Sequence, residues 1–364
     1  MSFLKNLFGT KETSINSYLD FWNWFTKYET DFYNVVKKNK DIETLFFDKI
    51  SPKISELQNG FFFVTGMYND HTAELIITAD GDIKNIAFVE DLVEAAPSLE
   101  KWRFTALKPA LNIEDVNISM AGYEFTGTNL FFYANENAAY PDEVDISIIH
   151  NELNDENRNQ ISTGVYIFLD NYLGELDFIN NIDNLSIVGS HEAEKEPVPI
   201  SKLKDFLTWR QKEFVEKYEA VRYDTENDSY SMLEAELESG NKLFAVINTE
   251  LLDWDSKASH PWIATLTLRY DGSNNNGMPT DDDYELLNQI EAEIGKELKD
   301  FDGYLNIGRQ TANGEREIFF ACKEFRNPSK VFYQISQSYK KSFKINYEIY
   351  KDKYWQSFEK FIAR

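Results

Sequence analysis

The run Trp262-Ile263-Ala264-Thr265-Leu266-Thr267-Leu268-Arg269-Tyr270 decides the architecture. Trp262, Ala264, Leu266, Leu268 and Tyr270 alternate with Ile263, Thr265, Thr267 and Arg269, the two-residue period of a half-buried strand. Asp271 to Asp283 is rich in Gly, Asn, Pro and Asp and reads as a loop. Leu286, Leu287, Ile290, Ile294 and Leu298 then recur at helical spacing. Tyr304 to Gly308 is expected to be a strand, Thr311-Ala312-Asn313-Gly314 a hairpin turn marked by Asn-Gly, and Arg316 to Cys322 the returning strand. A helix over Pro328 to Lys341, a strand over Phe343 to Tyr350 and a closing helix over Lys351 to Ala363 finish the chain. The order from Trp262 is β-α-β-β-α-β plus a terminal helix, the split-βαβ or ferredoxin-like pattern.

Upstream, the charged stretch Gly189 to Pro199 contains Pro197 and Pro199, is poor in apolar residues and reads as a linker. It divides an α+β protein into two expected domains, 12–190 and 200–364, with the ferredoxin-like core at about 260–351. In the first, Tyr18, Phe21, Trp22, Phe25, Tyr28, Phe32 and Val35 mark a helix over Ser14 to Asn39. A second helix is expected over Asp41 to Leu57, with Leu45, Phe46 and Ile50 inward. Phe61 to Val64 and Ala73 to Ile77 flank Tyr68-Asn69-Asp70-His71 as a hairpin. Asn159 to Leu173 reads as a helix closed by Gly174.

The 364 residues carry 62 Asp and Glu against 37 Lys and Arg, a formal net charge of −25. Such a surface opposes nucleic-acid backbones and anionic membranes, and it steers basic partners inward. No nucleic-acid or membrane partner is expected; a basic protein partner is, and the oligomeric state is left open. One cysteine, Cys322, excludes an internal disulfide and a multi-cysteine zinc site, and its apolar strand makes it a buried small residue. The four histidines (His71, His150, His191 and His260) never fall within one helical turn of each other, so no metal is expected. Phosphate-binding glycine loops and a nucleophile elbow are missing, so no cofactor is expected either. Met1 to Gly9 is too short for a leader and reads as a loose terminus, and no long uncharged apolar run occurs; a cytoplasmic location is expected.

From about His260 to Lys351 the chain resembles the uncharacterised bacterial family called domain of unknown function 695. The strand Trp262–Tyr270, Gly277-Met278-Pro279, the helix through Glu291, Ile307-Gly308-Arg309-Gln310-Thr311 and Gly314-Glu315-Arg316-Glu317-Ile318-Phe319-Phe320 carry the resemblance. Some members look joined to a domain similar to the regulator of ribonuclease activity B, so the resemblance implies a regulatory or binding role.

The sharpest cluster of polar chemistry is Arg309, Thr311, Asn313, Glu315 and Arg316 around the hairpin. Two guanidinium groups beside polar turn residues suit a carboxylate, a phosphate or a partner's acidic side chain. The alternative is a solvated hairpin with cross-strand Arg–Glu pairs. Asp281-Asp282-Asp283 precedes a helix and is expected to satisfy its free N–H groups. The expected function is a non-enzymatic, acidic protein-binding or regulatory module. The alternatives are a hydrolase acting on an anionic substrate with carboxylates and Arg309 or Arg316, and a small-molecule sensor.

Overall fold

The computed structural model describes residues 14–362; the expectations for Met1 to Gly9 and for a domain start at residue 12 lie outside the described residues. The chain is a mixed α/β protein whose described residues form four sheets, and it divides into two compact units after Pro109.

In the first unit Ser17 caps helix α1 (Tyr18–Lys38), its hydroxyl accepting from the Asp20 N–H at 3.1 Å. One face buries Phe21, Trp22, Phe25, Phe32 and Val36, while Tyr28, which shares the helical spacing, is exposed. The helix expected over Asp41 to Leu57 is broken: a π-turn at Glu43–Phe47 leads into α2 (Asp48–Ser55). The wider turn advances the chain by an extra residue, so Phe46 is buried and Leu45, expected inward, is exposed. Strands β1 (Phe62–Met67) and β2 (Ala73–Thr78) form the expected hairpin. Helix α3 (Ile83–Glu94) crosses over to β3 (Trp102–Ala106), which lies parallel to β2.

The second unit carries one core in its earlier part and apolar layers on both faces of its C-terminal sheet. The earlier part is built on β4 (Asn117–Met120), β5 (Tyr123–Thr126), β6 (Leu130–Asn135), β7 (Asp145–His150), α4 (Arg158–Leu173), α5 (Glu175–Asn181), β8 (Asn184–Val188), β9 (Val198–Pro199) and α6 (Leu203–Tyr218). The stretch expected to be a linker is tied down at its end. Val198 and Pro199 pair with Phe132 and Phe131, and Lys195 Nζ donates to the Ala134 carbonyl at 2.7 Å. Ile200, Leu203 and Leu207 follow directly into the core with Ile146, Ile148, Phe168 and Leu169. Residues after the prolines thus complete the core of those before them, within the unit that begins at Ala110.

The C-terminal sheet is six-stranded and antiparallel. Its strands are β10 (Tyr230–Glu236), β11 (Lys242–Asn248), β12 (Trp262–Arg269), β13 (Tyr304–Ala312), β14 (Glu315–Cys322) and β15 (Lys344–Lys351), and their order is β10-β11-β13-β14-β12-β15. A short helix, α7 (Thr249–Leu252), follows β11; α8 (Asp281–Glu297) and α9 (Arg326–Tyr339) lie in the crossovers. One face of the sheet packs Ala245, Ile247, Ile263, Leu305, Ile307, Phe319 and Ala321 against Trp355, Phe358 and Phe361. The closing segment is the 3₁₀ helix Gln356–Phe361 and not a helix from Lys351, which still belongs to β15. A short 3₁₀ turn is enough to bring Phe358 and Phe361 onto the same sheet face.

A β-bulge lies between Asn306 and Gly308. Ahead of it Leu305 sits opposite Ala321, and beyond it Gly308 sits opposite Phe319, so one residue is extra. That extra residue reverses which side chains face each way. Leu305 and Ile307 both enter the core, and Arg309 and Thr311 are sent to the other face.

Candidate functional site

The face opposite that core is only partly covered. Over β14, β12 and β15 it carries Ile318, Phe320, Leu266, Ala264 and Tyr347, roofed by α8 and α9 through Leu287, Ile290 and Phe332. Six strands are wider than two helices. On β10 and β11 the same face presents Met232, Phe244 and Val246 with no helix of the described residues above them, and Met232 is 74% exposed. Where the roof ends, these three side chains form one wall of a cavity of about 310 Å³. Met278, Pro279, Asp281 and Tyr284 form a second wall, and Arg309, Thr311 and Arg316 lie between the two along the sheet.

The cavity thus holds three of the five hairpin residues singled out in the sequence. Strand alternation explains why. Thr311 and Arg316 are cross-strand partners, and Arg309 lies two residues before Thr311, so all three share a face. Glu315 belongs to the opposite face, where its carboxylate accepts from Arg269 Nε at 3.0 Å. That is the cross-strand Arg–Glu pair of the alternative reading. Asn313 sits in the turn at φ +50°, and its side-chain oxygen accepts from Asn241 Nδ2 at 2.8 Å. The turn is also sewn to the long loop: the Gly314 N–H donates to Gly277 O at 2.8 Å, and the Tyr270 hydroxyl donates to the same oxygen at 3.1 Å. These bonds hold Met278 and Pro279 over the cavity.

The two arginines are held differently. Arg309 Nη1 donates to both carboxylate oxygens of Glu291, at 2.9 and 3.0 Å. Arg316 is 2% exposed, yet no carboxylate among the described residues pairs with it. Its Nε donates to Thr311 Oγ1 at 3.1 Å and its Nη1 to Asn288 Oδ1 at 3.0 Å, both neutral acceptors. The guanidinium also lies 5.2 Å from the centre of the Tyr284 ring. Burial, and then the charge of Arg309, pull its pKa below the usual arginine range. The Glu291 charge works the other way, but Glu291 gives its hydrogen bonds to Arg309, and a buried charge that no carboxylate touches is costly and favours an anion.

Helix α8 supplies the polar edge. Tyr284, Asn288 and Glu291 follow at intervals of four and three residues, one stripe of the helix, while Leu287, Ile290 and Ile294 form the buried stripe. Thr280 caps the helix, its hydroxyl accepting from the Asp283 N–H at 3.2 Å. The acidic run forms the first turn of the helix and not its cap: Thr280 takes the free N–H, the Asp283 carboxylate accepts from the Thr280 hydroxyl at 2.8 Å, and Asp281 reaches the cavity rim. Sequence reading missed Met232, Phe244 and Val246. The available signal was that β11 alternates apolar residues on both faces, Leu243, Ala245 and Ile247 against Phe244 and Val246, whereas an edge region needs only one.

Other reactive types are placed elsewhere. Among the described residues no three His, Cys, Asp or Glu side chains come together as a metal site, and no helix is long and apolar enough to cross a membrane. Cys322 is fully buried, and burial pushes its thiol well up. His260 is sealed in the core: Nδ1 shares a hydrogen with the Ser259 hydroxyl at 2.8 Å, and Nε2 has no partner. Burial lowers its pKa to about 3. Because the unfolded chain protonates near 6.5 and the folded one does not, this histidine's contribution to stability is full above pH 6.5. It is lost as pH falls toward 3, by about 1.4 kcal/mol per pH unit. Urea unfolding between pH 7 and pH 4 is expected to show a shallower loss of stability in His260→Gln than in the wild type; parallel curves would contradict this.

No curated protein and no solved structure matches this chain. The region that carries the six-stranded sheet from the end of β10 onward, residues 237–363, matches a family of unknown function, DUF695.

Proposed function

We propose that the C-terminal sheet is a ligand-binding module whose cavity at Arg316 takes an organic anion with an apolar body, and that the protein acts by recognition, as a sensor or regulatory module. The observation that carries this reading is Arg316 itself: a guanidinium 2% exposed, hydrogen-bonded only to neutral acceptors, lining a cavity that faces it with Met232, Phe244, Val246 and Met278. A cavity of this size with a few convergent polar groups suits a small molecule. The hydrolase alternative is less well supported. Glu291 is engaged by Arg309, and Glu315 lies on the other face, so neither is free to act as a base at the cavity. The run from Trp262 to Lys351 is read as a ferredoxin-like core, a reading supported by the strand order β13-β14-β12-β15 and its antiparallel pairing.

The test is ligand-observed NMR of the full chain with a set of small aliphatic and aromatic acids. Wild type is expected to bind members of the set. Arg316→Met should lose at least about tenfold in affinity by removing a charge-assisted hydrogen bond in a desolvated site. Met232→Trp, at a largely exposed edge position, should fold normally and block the same ligands by filling the cavity. Binding unchanged in both variants would contradict the proposal.

A further inference from the structure

The uncommitted donors of Arg316 restrict which anion fits, and this step rests on the cavity being the ligand site. We infer that the ligand presents a carboxylate on an apolar stem, and that doubly charged phosphate monoesters are rejected. A guanidinium has five N–H groups in a planar fork. On Arg316 one is used by Thr311 and one by Asn288. The remaining three are all on Nη1 and Nη2, and no acceptor among the described residues takes them. Two parallel N–H groups match the two oxygens of a carboxylate. Thr311 Oγ1 accepts from Arg316 Nε, so its own hydrogen is free to donate to the same anion.

The surrounding charges limit the ligand to one negative charge. Glu291 already neutralises Arg309 through two contacts, so Arg309 adds little net attraction. Asp281 faces the same cavity and opposes a second negative charge. A phosphate monoester is largely dianionic at neutral pH. The rest of the wall, Met232, Phe244, Val246 and Met278, rewards an apolar stem and offers the flexible thioethers that adapt to varied shapes. The same chemistry is offered by a free organic acid and by the C-terminus of a peptide ending in an apolar residue.

Isothermal titration of the full chain with 3-phenylpropionate, 2-phenylethyl phosphate and 3-phenylpropanamide separates these features, and N-acetyl-leucyl-phenylalanine stands for a peptide end. The acid is expected to bind at least about tenfold more tightly than the phosphate and the amide, and Met232→Trp should abolish this binding. If the peptide acid binds more tightly than the free acid, the carboxylate belongs to a chain end; if less tightly, it belongs to a small molecule; either supports the inference. A phosphate that binds as well as the acid, and is lost in Met232→Trp, overturns the carboxylate assignment and leaves the anion cavity standing. No binding by any of the four that Met232→Trp alters overturns both.

Discussion

Replacing Gly308 with alanine is expected to destabilise the C-terminal sheet by about 3–5 kcal/mol, the combined scale of an overpacked contact and a strained backbone. Gly308 sits at φ +134°, a region other residues avoid. A Cβ there would stand 2.1 Å from the Val246 carbonyl oxygen and 2.9 Å from Ile247 Cα. Both are backbone atoms of the neighbouring strand and have no rotamer to yield. The chain's escape is to give up the bulge. That would restore the simple register and turn Arg309 toward the core that holds Ile307 and Phe319. Thr311, in phase with Arg309, would turn with it and leave both Arg316 Nε and the cavity, so ligand binding is expected to fall with stability. Gly295→Ala is the matched control. Gly295 lies in α8 with open space where its Cβ would go, and alanine there should stabilise by about 0.5–1 kcal/mol. Urea unfolding of the two variants should show opposite signs; equal and small effects would contradict this account of the bulge.

Replacing Asp183 with asparagine is expected to cost about 3–5 kcal/mol, the usual result of removing one member of a buried ionic cluster. Asp183 stands between two lysines, with Lys351 Nζ 2.7 Å from Oδ1 and Lys353 Nζ 2.7 Å from Oδ2. The Val144 N–H donates to Oδ2 as well, at 2.7 Å. Lys351 also donates to the Asn180 carbonyl at 2.6 Å, and Lys353 to the Asp142 carbonyl at 2.8 Å. The cluster therefore fastens β15, in the six-stranded sheet, to the segments flanking β7 and β8. Burial works against the Asp183 charge, but the two ammonium groups outweigh it and hold its pKa below the usual carboxylate range. Burial lowers Lys351 to about 8, so it is still protonated at neutral pH. Asparagine would leave two buried cations facing each other with half a partner. The combined variant Asp183→Leu, Lys351→Met, Lys353→Met should recover most of the loss, since it removes the charges together with their desolvation cost. A combined variant as unstable as Asp183→Asn would show that the cluster's hydrogen bonds matter more than its charges.

How much was legible in the sequence varies with the physics involved. Elements with their own period were read well: the strand at Trp262, the Asn-Gly hairpin, the helix ending at Gly174 and the helix capped ahead of Asp283. Their signals are local. The π-turn at Glu43–Phe47 was not legible, because one extra residue in a turn leaves composition unchanged and only rotates the phase. The tying down of Gly189 to Pro199 was not legible either. Strand β9 is two residues long and borrows its partner from β6, more than sixty residues earlier. At the cavity, the two arginines and the polar turn residues beside them stood out as a local basic spot in a chain of net charge −25. The separation of Arg309, Thr311 and Arg316 from Asn313 and Glu315 follows from strand alternation on β14 and, on β13, from a bulge that the sequence marks only by a glycine. The apolar wall was invisible for another reason. Met232, Phe244 and Val246 look like ordinary strand residues until the breadth of the sheet is set against the two helices that cover it.

The most direct measurement uses the methionines. The chain has five, and two of them, Met232 and Met278, line the cavity while Met67 and Met120 lie on other strands. With ¹³C-methyl methionine in the full protein, titration with 3-phenylpropionate is expected to shift the Met232 and Met278 signals in a saturable way and to leave those of Met67 and Met120 in place. The shifts should vanish in Arg316→Met. Signals of Met232 and Met278 that stay fixed at saturating acid, or that move identically in Arg316→Met, would contradict the assignment of this cavity as an anion-binding site.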